Sequence, residues 1–168
     1  NMLSKNIDGL IVEPTKSSSH NPNINYYLTL EQNEIPYLMI NQFYHGINPP
    51  HIILDDDHGG FIATEHLIEL GHKKILGIFK SDDLQGVKRM KGFFRAAREN
   101  GLAFSSDMVV TFTTEDRKEK IAQDVKALLS ASSRPTAVVC YNDEIALDVL
   151  HVIRELGLRV PDDISMVG

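Results

Sequence analysis

The feature that most constrains this chain is a rhythm of short apolar runs, most of them rich in Val and Ile. They occupy residues 9–13 (GLIVE), 37–40 (YLMI), 51–54 (HIIL), 74–79 (KILGIF), 108–112 (MVVTF), 137–141 (AVVCY) and 164–167 (ISMV). Runs this short, with β-branched enrichment, read as strands. Longer helical patterns separate most of them. One carries Ile62, His66, Leu67 and Leu70 at helical spacing and ends at Gly71. A second places Val87, Met90, Phe94 and Ala97 on one stripe and ends at Gly101. A third uses Ile121, Val125 and Leu128, and a fourth Ile145, Val149, Ile153 and Leu156 before Gly157. Continuous apolar strands alternating with amphipathic helices predict an α/β fold, with parallel sheets covered by helices on both faces.

The rhythm breaks twice. Residues 14–25 (PTKSSSHNPNIN) form a polar stretch with the composition of an exposed loop. Residues 41–50 separate two strands without room for a helix, so the chain is expected to change direction there. A boundary close to Gly71 follows, with one α/β unit in residues 1–70 and a second in 71–168. The chain opens and closes on strands apolar enough to need neighbours on both sides. We therefore read it as an internal piece of a larger fold, incomplete at both ends.

Charge and cysteine usage narrow the function. A net charge of −6 argues against this piece wrapping nucleic acid by itself, because phosphate binding needs a Lys/Arg surplus on one face. The single cysteine, Cys140, excludes a disulfide framework and a cysteine-based zinc site; in its apolar run it is expected to be a buried thiol. No apolar run approaches membrane-spanning length, and no basic, hydrophobic leader opens the chain. The expectation is a soluble cytoplasmic protein that makes no membrane contact.

Ligands of open α/β sheets bind at the carboxyl ends of the strands. Those ends carry Glu13, then Asn41, Phe43 and Tyr44, then Asp55. Further along come Lys80 with Asp82, Asp83 and Gln85, then Thr113, then Asn142 with Asp143. Carboxylates, amides and cations of this kind suit a polyhydroxylated small molecule, whose hydroxyls are donors and acceptors together. Loop ends are polar in every α/β protein, so the set alone favours a ligand only modestly. Arg89 adds a sharper signal. It lies one turn into a helix, where the dipole favours anions, so its side chain is expected to reach a ligand or a carboxylate. A solvated basic face with Lys88 and Lys91 is the bland alternative.

The acidic run LDDDHGG (54–60) lacks the spacing of a calcium loop and reads better as the acidic start of a helix. The histidines form no HExxH pair, and His66 reads as a helix-face residue. Phosphate-cradling and nucleophile-elbow motifs do not occur. Neither a cofactor nor a metal nor catalysis is expected. The corner at CYNDEIALDVL (140–150) has two readings. Asn142 is a competent N-cap, and Asp143 and Glu144 suit a first helical turn; the same corner could also present Asn142 to a ligand.

Three stretches give the chain a likeness. NDEIALDVLHVIRELGLRVPDDISMVG (142–168), LDDDHGGFIATEHLIELGHKKI (54–75) and GVKRMKGFFRAARENGL (86–102) follow IDGLIVEP (7–14) in the order seen in LacI/GalR-type regulators. The chain resembles the effector-binding domain of that family over nearly its whole length. GIFKSDDLQGVKRMKGF, TFTTED and CYNDEIAL are most similar to the arabinose-responsive repressors of Gram-positive bacteria, which join a GntR-type winged-helix reader to a LacI-type sensor.

The resemblance implies a two-lobed, periplasmic-binding-protein-like fold with a sugar, L-arabinose, held between the lobes. It implies a homodimer that binds an operator through a separate DNA-binding domain absent from this sequence, and residues 1–70 and 71–168 as parts of the two lobes. Arg89 takes the place of the family's effector-binding arginine and Asn142 that of its polar contact after the sixth run. Asp83, Gln85 and Thr113 fall on loop positions that line the family's cleft, with Lys80 and Asp143 beside them. An aspartate that the family places beyond SMVG is not in this sequence. A sugar-binding protein of a transport system and an α/β enzyme acting on a sugar are the alternatives.

Overall fold

The structure is a computed structural model that describes residues 7–18, 21, 23–103 and 105–168. All seven expected strands are present. In chain order the elements are β1 (Leu10–Val12), α1 (Ile24–Gln32), β2 (Tyr37–Ile40), β3 (His51–Ile52), α2 (Asp56–Glu69), β4 (Ile75–Lys80) and α3 (Leu84–Glu99). Next come β5 (Val109–Phe112), α4 (Arg117–Lys120), a π-helical turn (Ile121–Val125), α5 (Lys126–Ser130), β6 (Ala137–Cys140), α6 (Asp143–Glu155) and β7 (Ser165–Val167). Both sheets are parallel, as the continuous apolar runs required. One has the order β1-β2-β3 and the other β5-β4-β6-β7.

The chain forms two compact units. One comprises Asn1–Leu54 with Asp82–Gln85, the other Asp55–Ser81 with Gly86–Gly168. Helix α2, placed by sequence before a boundary at Gly71, thus groups with the second unit. The reason lies in its inward face: Leu67 joins the main core, and Gly60 meets the backbone of Arg89 on α3.

In the second unit the core runs through Leu76, Ile78, Phe93, Val125, Val138, Val149 and Ile153, all fully buried. Every residue of β6 and all of β4 except Lys80 are buried, as strands covered on both faces must be. Three helices stop as expected at glycines with positive φ: Gly71, Gly101 and Gly157. In each, the glycine N–H bonds three residues back and the next N–H bonds five back (for Gly157, Arg154 O at 3.0 Å and Ile153 O at 3.1 Å). That paired closure satisfies carbonyls the helix end would otherwise strand.

The helix stripes differ from those expected. On α2 the buried positions are Asp56, Gly60, Thr64 and Leu67, whereas Ile62 and Leu70 are exposed. On α3 Phe93, Ala96 and Ala97 are buried and Val87 is exposed. The two helices cross with backbones in contact. A Cβ on Gly60 would lie 2.1 Å from the carbonyl oxygen of Arg89, and one on Gly92 would lie 2.0 Å from that of Asp57. Such an approach selects small residues for the inner face and turns the larger apolar ones outward. In the third helical stretch Leu129, not Leu128, is fully buried, because the π turn inserts residues before it.

In the first unit a small core gathers Leu30, Tyr37, Met39 and Tyr44, with Tyr27 tilted against both tyrosines. Helix α1 starts at Ile24, inside the stretch read as a polar loop, and the sequence rhythm did not reveal it. Only Leu30 of its nine residues is buried, so it shows no apolar stripe. Residues 14–17 are tied to β2's carboxyl end: Tyr44 donates to Thr15 O at 2.8 Å and Gln42 Nε2 donates to Pro14 O at 2.8 Å. Asn41, in a left-handed conformation, donates to Glu13 Oε1 at 2.9 Å.

Candidate functional site

Parallel pairing in the second unit puts the ends of β4, β5 and β6 on one edge of one sheet. Lys80 sits opposite Phe112, and Cys140 opposite Ile78, so β6 turns into its helix two residues earlier than β4 ends. On that edge lie Lys80, the Thr113 turn and the corner formed by Tyr141, Asn142 and Asp143.

The β6–α6 corner is built by its cap. Asn142 has an extended backbone, and its Oδ1 accepts the N–H of Ile145 at 3.0 Å, satisfying one of the helix's free donors. Asp143 and Glu144 complement the dipole of the first turn and are exposed. The cap uses only the amide oxygen. Among the described residues Asn142 Nδ2 makes no hydrogen bond, and the side chain is half-buried. The residue is therefore both the N-cap and a donor with spare capacity.

Arg89 reaches this corner from α3. Its Nη1 donates to the carbonyl oxygen of Tyr141 at 2.6 Å, its Nε donates to Asp56 Oδ1 at 2.9 Å, and its guanidinium carbon lies 5.3 Å from the Tyr141 ring centroid. The expectation that a cation so near a helix N-terminus must reach a carboxylate or a ligand is met by Asp56, the first residue of α2. Arg89 keeps 24% of its side chain exposed, and among the described residues its N–H groups not directed at Asp56 or Tyr141 have no acceptor.

The acidic run divides its labour. Asp55 caps α2 by accepting His58 N–H at 3.1 Å, Asp56 holds Arg89, and Asp57 holds Arg95 and Lys91. The Arg95 and Lys91 hydrogen bonds keep the Asp57 carboxyl below the ordinary carboxylate range. Among the described residues no group of three His, Cys, Asp or Glu side chains is placed to hold a metal.

Thr113 is engaged locally. Its N–H and its hydroxyl both donate to Asp116 Oδ1, the hydroxyl at 2.9 Å, shaping the turn into α4. The bond from the Thr113 N–H is the chief cause of a lowered Asp116 pKa. Lys80 is half-buried at the end of β4, and its carbonyl oxygen would lie 1.9 Å from a Cβ on Gly86, so α3 starts hard against that strand end. Asp83 and Gln85 are buried residues of the segment grouped with the first unit. Cys140 is buried in β6, and burial pushes its thiol up to about 12.

The structure thus brings Arg89 and Asn142 to one corner, with Thr113, Lys80 and Asp143 along the same sheet edge. Sequence reasoning missed Asp56, Tyr141 and Arg117, which build the corner. Two signals pointed to the first: a second carboxylate behind the N-cap, and a facing helix with cations at Arg89, Lys91 and Arg95.

Comparison with known proteins gives this geometry its context. The profile of the periplasmic binding protein-like domain matches residues 64–168. Over 168 residues the chain is 52% identical to the arabinose metabolism transcriptional repressor of Halalkalibacterium halodurans, covering 99% of this chain and 45% of that protein. The protein of the same name from Geobacillus stearothermophilus is 47% identical, with 99% and 46% covered. The chain spans less than half the length of these relatives. Among solved structures, a LacI family transcriptional regulator from Mycobacterium smegmatis superposes with a TM-score of 0.81 at 30% identity, over 99% of this chain and 60% of that one. The chain belongs to the periplasmic binding protein-like domain family, in the form carried by LacI-type regulators.

Proposed function

We propose that this chain is part of the effector-sensing domain of a dimeric transcriptional repressor, and that its effector is a small sugar, L-arabinose. The single observation that carries the reading is the corner itself. Arg89 is fixed to the backbone beside Asn142 by its bond to Tyr141 O, while the Asn142 amide nitrogen makes no hydrogen bond among the described residues. A fork of N–H donors beside a carboxamide is a recognition set for vicinal hydroxyls. Lys80, Thr113 and Asp143 complete the set on the same sheet edge, and Asp83 and Gln85 stay assigned as contacts. The two compact units are taken as parts of the family's two lobes. Relatives named as arabinose metabolism repressors support L-arabinose, and favour a regulator over a transport binding protein or an enzyme.

The operator is read by a separate DNA-binding domain, and the working compartment is the cytoplasm. Sugar shifts the protein between two states by binding one more tightly, since a ligand that grips both equally shifts nothing. Linkage then requires reciprocity: if sugar lowers operator affinity, operator lowers sugar affinity by the same factor. The test is calorimetric titration of the intact protein with L-arabinose, then of Arg89→Ala and Asn142→Ala. Saturable binding that both substitutions weaken is expected, Arg89→Ala by tenfold or more for a charged donor worth about 1.5–3 kcal/mol, and Asn142→Ala by about two- to tenfold for a neutral one worth about 0.5–1.5 kcal/mol. Binding unchanged in both variants, or binding only of a different sugar, overturns the site or the ligand respectively.

A further inference from the structure

The corner that carries Asn142 is tied to a neighbouring one by a cation that no part of the effector reading uses. Arg117 opens α4, just after the Thr113–Asp116 turn. As the first residue of α4 it is a cation where the helix dipole disfavours one. Its Nη1 lies 2.6 Å from Glu144 Oε1, and its Nη2 and Nε lie 2.6 and 2.8 Å from Asp148 Oδ2. Both carboxylates belong to the first two turns of α6, the helix that Asn142 caps. Only 25% of the Arg117 side chain is exposed.

The span of this clamp gives it its meaning. β5 and β6 both flank β4, so their ends lie two strand spacings apart, roughly 10 Å. Arg117 joins the start of α4, which follows β5, to the first two turns of α6, which follows β6. The rings of Phe112, last residue of β5, and Tyr141, first after β6, meet edge to face at 6.2 Å. Tyr141 in turn gives its carbonyl oxygen to Arg89. The Thr113–Asp116 turn is thus followed at once by Arg117, whose ion pairs reach the first two turns of the helix that Asn142 caps.

We propose, resting on the sugar-sensing reading above, that Arg117 is a positioning residue for the effector site. By holding Glu144 and Asp148 it fixes the first turns of α6 against the Thr113 corner, and so fixes where the Asn142 amide points. It touches no ligand itself. A forked guanidinium is required because two carboxylates one turn apart are engaged at once, which a single ammonium cannot match.

The test uses the intact protein carrying Arg117→Gln, Arg117→Lys, Asn142→Ala, and the Arg117→Gln/Asn142→Ala pair. Hydrogen exchange read by mass spectrometry, without sugar, should quicken in peptides covering 142–148 of Arg117→Gln and not in peptides covering α2. Calorimetry should show L-arabinose bound about three- to tenfold more weakly by Arg117→Gln, the scale of coupling within one hydrogen-bond network. Arg117→Lys should recover part of that loss. In the Asn142→Ala background the added effect of Arg117→Gln should fall below about twofold. Equal weakening in both backgrounds, or sugar affinity unchanged in Arg117→Gln, overturns the proposal. Unchanged exchange at 142–148 overturns it whatever the sugar does. Failure of the wild-type protein to bind L-arabinose sinks the effector reading separately, and the exchange measurement still decides whether Arg117 holds the corner.

Discussion

Arg89 Nε lies 2.9 Å from Asp56 Oδ1, and the carboxylate it holds is almost wholly buried at the N-terminus of α2. The pair joins two helices and aims the guanidinium at the Tyr141 carbonyl. Deleting one partner of a buried pair strands the other without compensation. Here the guanidinium is a quarter exposed and keeps its bond to Tyr141, so solvent offsets part of the loss. Asp56→Ala is expected to cost about 2 kcal/mol of stability, below the 3–5 typical of fully buried pairs. Urea unfolding of wild type and variant measures it. A loss under about 0.5 kcal/mol would place the pair with ordinary surface contacts.

Two adjacent glycines of α2 should respond in opposite senses. A Cβ on Gly59 meets nothing within 4 Å, so Gly59→Ala gains helix propensity and should stabilise by about 0.5 kcal/mol. One on Gly60 would stand 2.1 Å from the Arg89 carbonyl oxygen and 2.7 Å from its carbon. Backbone cannot yield there without separating α2 from α3, and Gly60→Ala should cost about 3 kcal/mol or more. Thermal denaturation of the two variants side by side tests the crossing. Similar melting temperatures would mean that the helices do not approach as closely as described.

This crossing also marks the limit of what the sequence discloses. The seven strands are legible because the strands of parallel sheets are short and apolar at most positions, a pattern independent of partner. Helix ends at Gly71, Gly101 and Gly157 are legible because a left-handed residue after the last turn calls for glycine. The inner faces of α2 and α3 are not, since apolar bulk is the quantity periodicity counts and the close crossing excludes it. Asp56, Gly60 and Thr64 face inward instead, with Thr64 Oγ1 satisfied by Gly60 O at 2.7 Å. Helix α1 hides for a related reason, burying Leu30 alone. At the site, Arg89 stood out through its conflict with a helix dipole. Its partner did not, because three successive carboxylates look equivalent until the first turn of α2 separates their directions.

Asp57 should shape the acid limb of stability. Arg95 donates to its Oδ1 from Nε at 3.0 Å and from Nη2 at 2.7 Å, and the same guanidinium lies 4.2 Å from the Phe61 ring centroid. Lys91 Nζ stands 3.1 Å from the other oxygen. These bonds hold the folded pKa below its unfolded value. The ionised group therefore adds stability that is complete above about pH 4 and is withdrawn as pH falls through the lower folded value. Asp57→Asn should be less stable than wild type at pH 7, and the two should converge as pH drops below about 4. Parallel stability curves across that range would show that the pairing contributes nothing.

Asn142 offers the cleanest separation of scaffold from recognition. Asp caps a helix as well as Asn does, because the cap needs only a side-chain oxygen to accept the Ile145 N–H. A carboxylate has no N–H to donate. Asn142→Asp should therefore unfold within about 0.5 kcal/mol of wild type, whereas Asn142→Ala should lose about 1 kcal/mol with the cap. On the proposed reading sugar binding should fall in Asn142→Ala, which has no polar group there, and fall less in Asn142→Asp, whose carboxylate loses the donor and still accepts from a sugar hydroxyl. If Asn142→Ala keeps wild-type affinity for L-arabinose, the side chain makes no contact with the ligand and Asn142 is a cap alone.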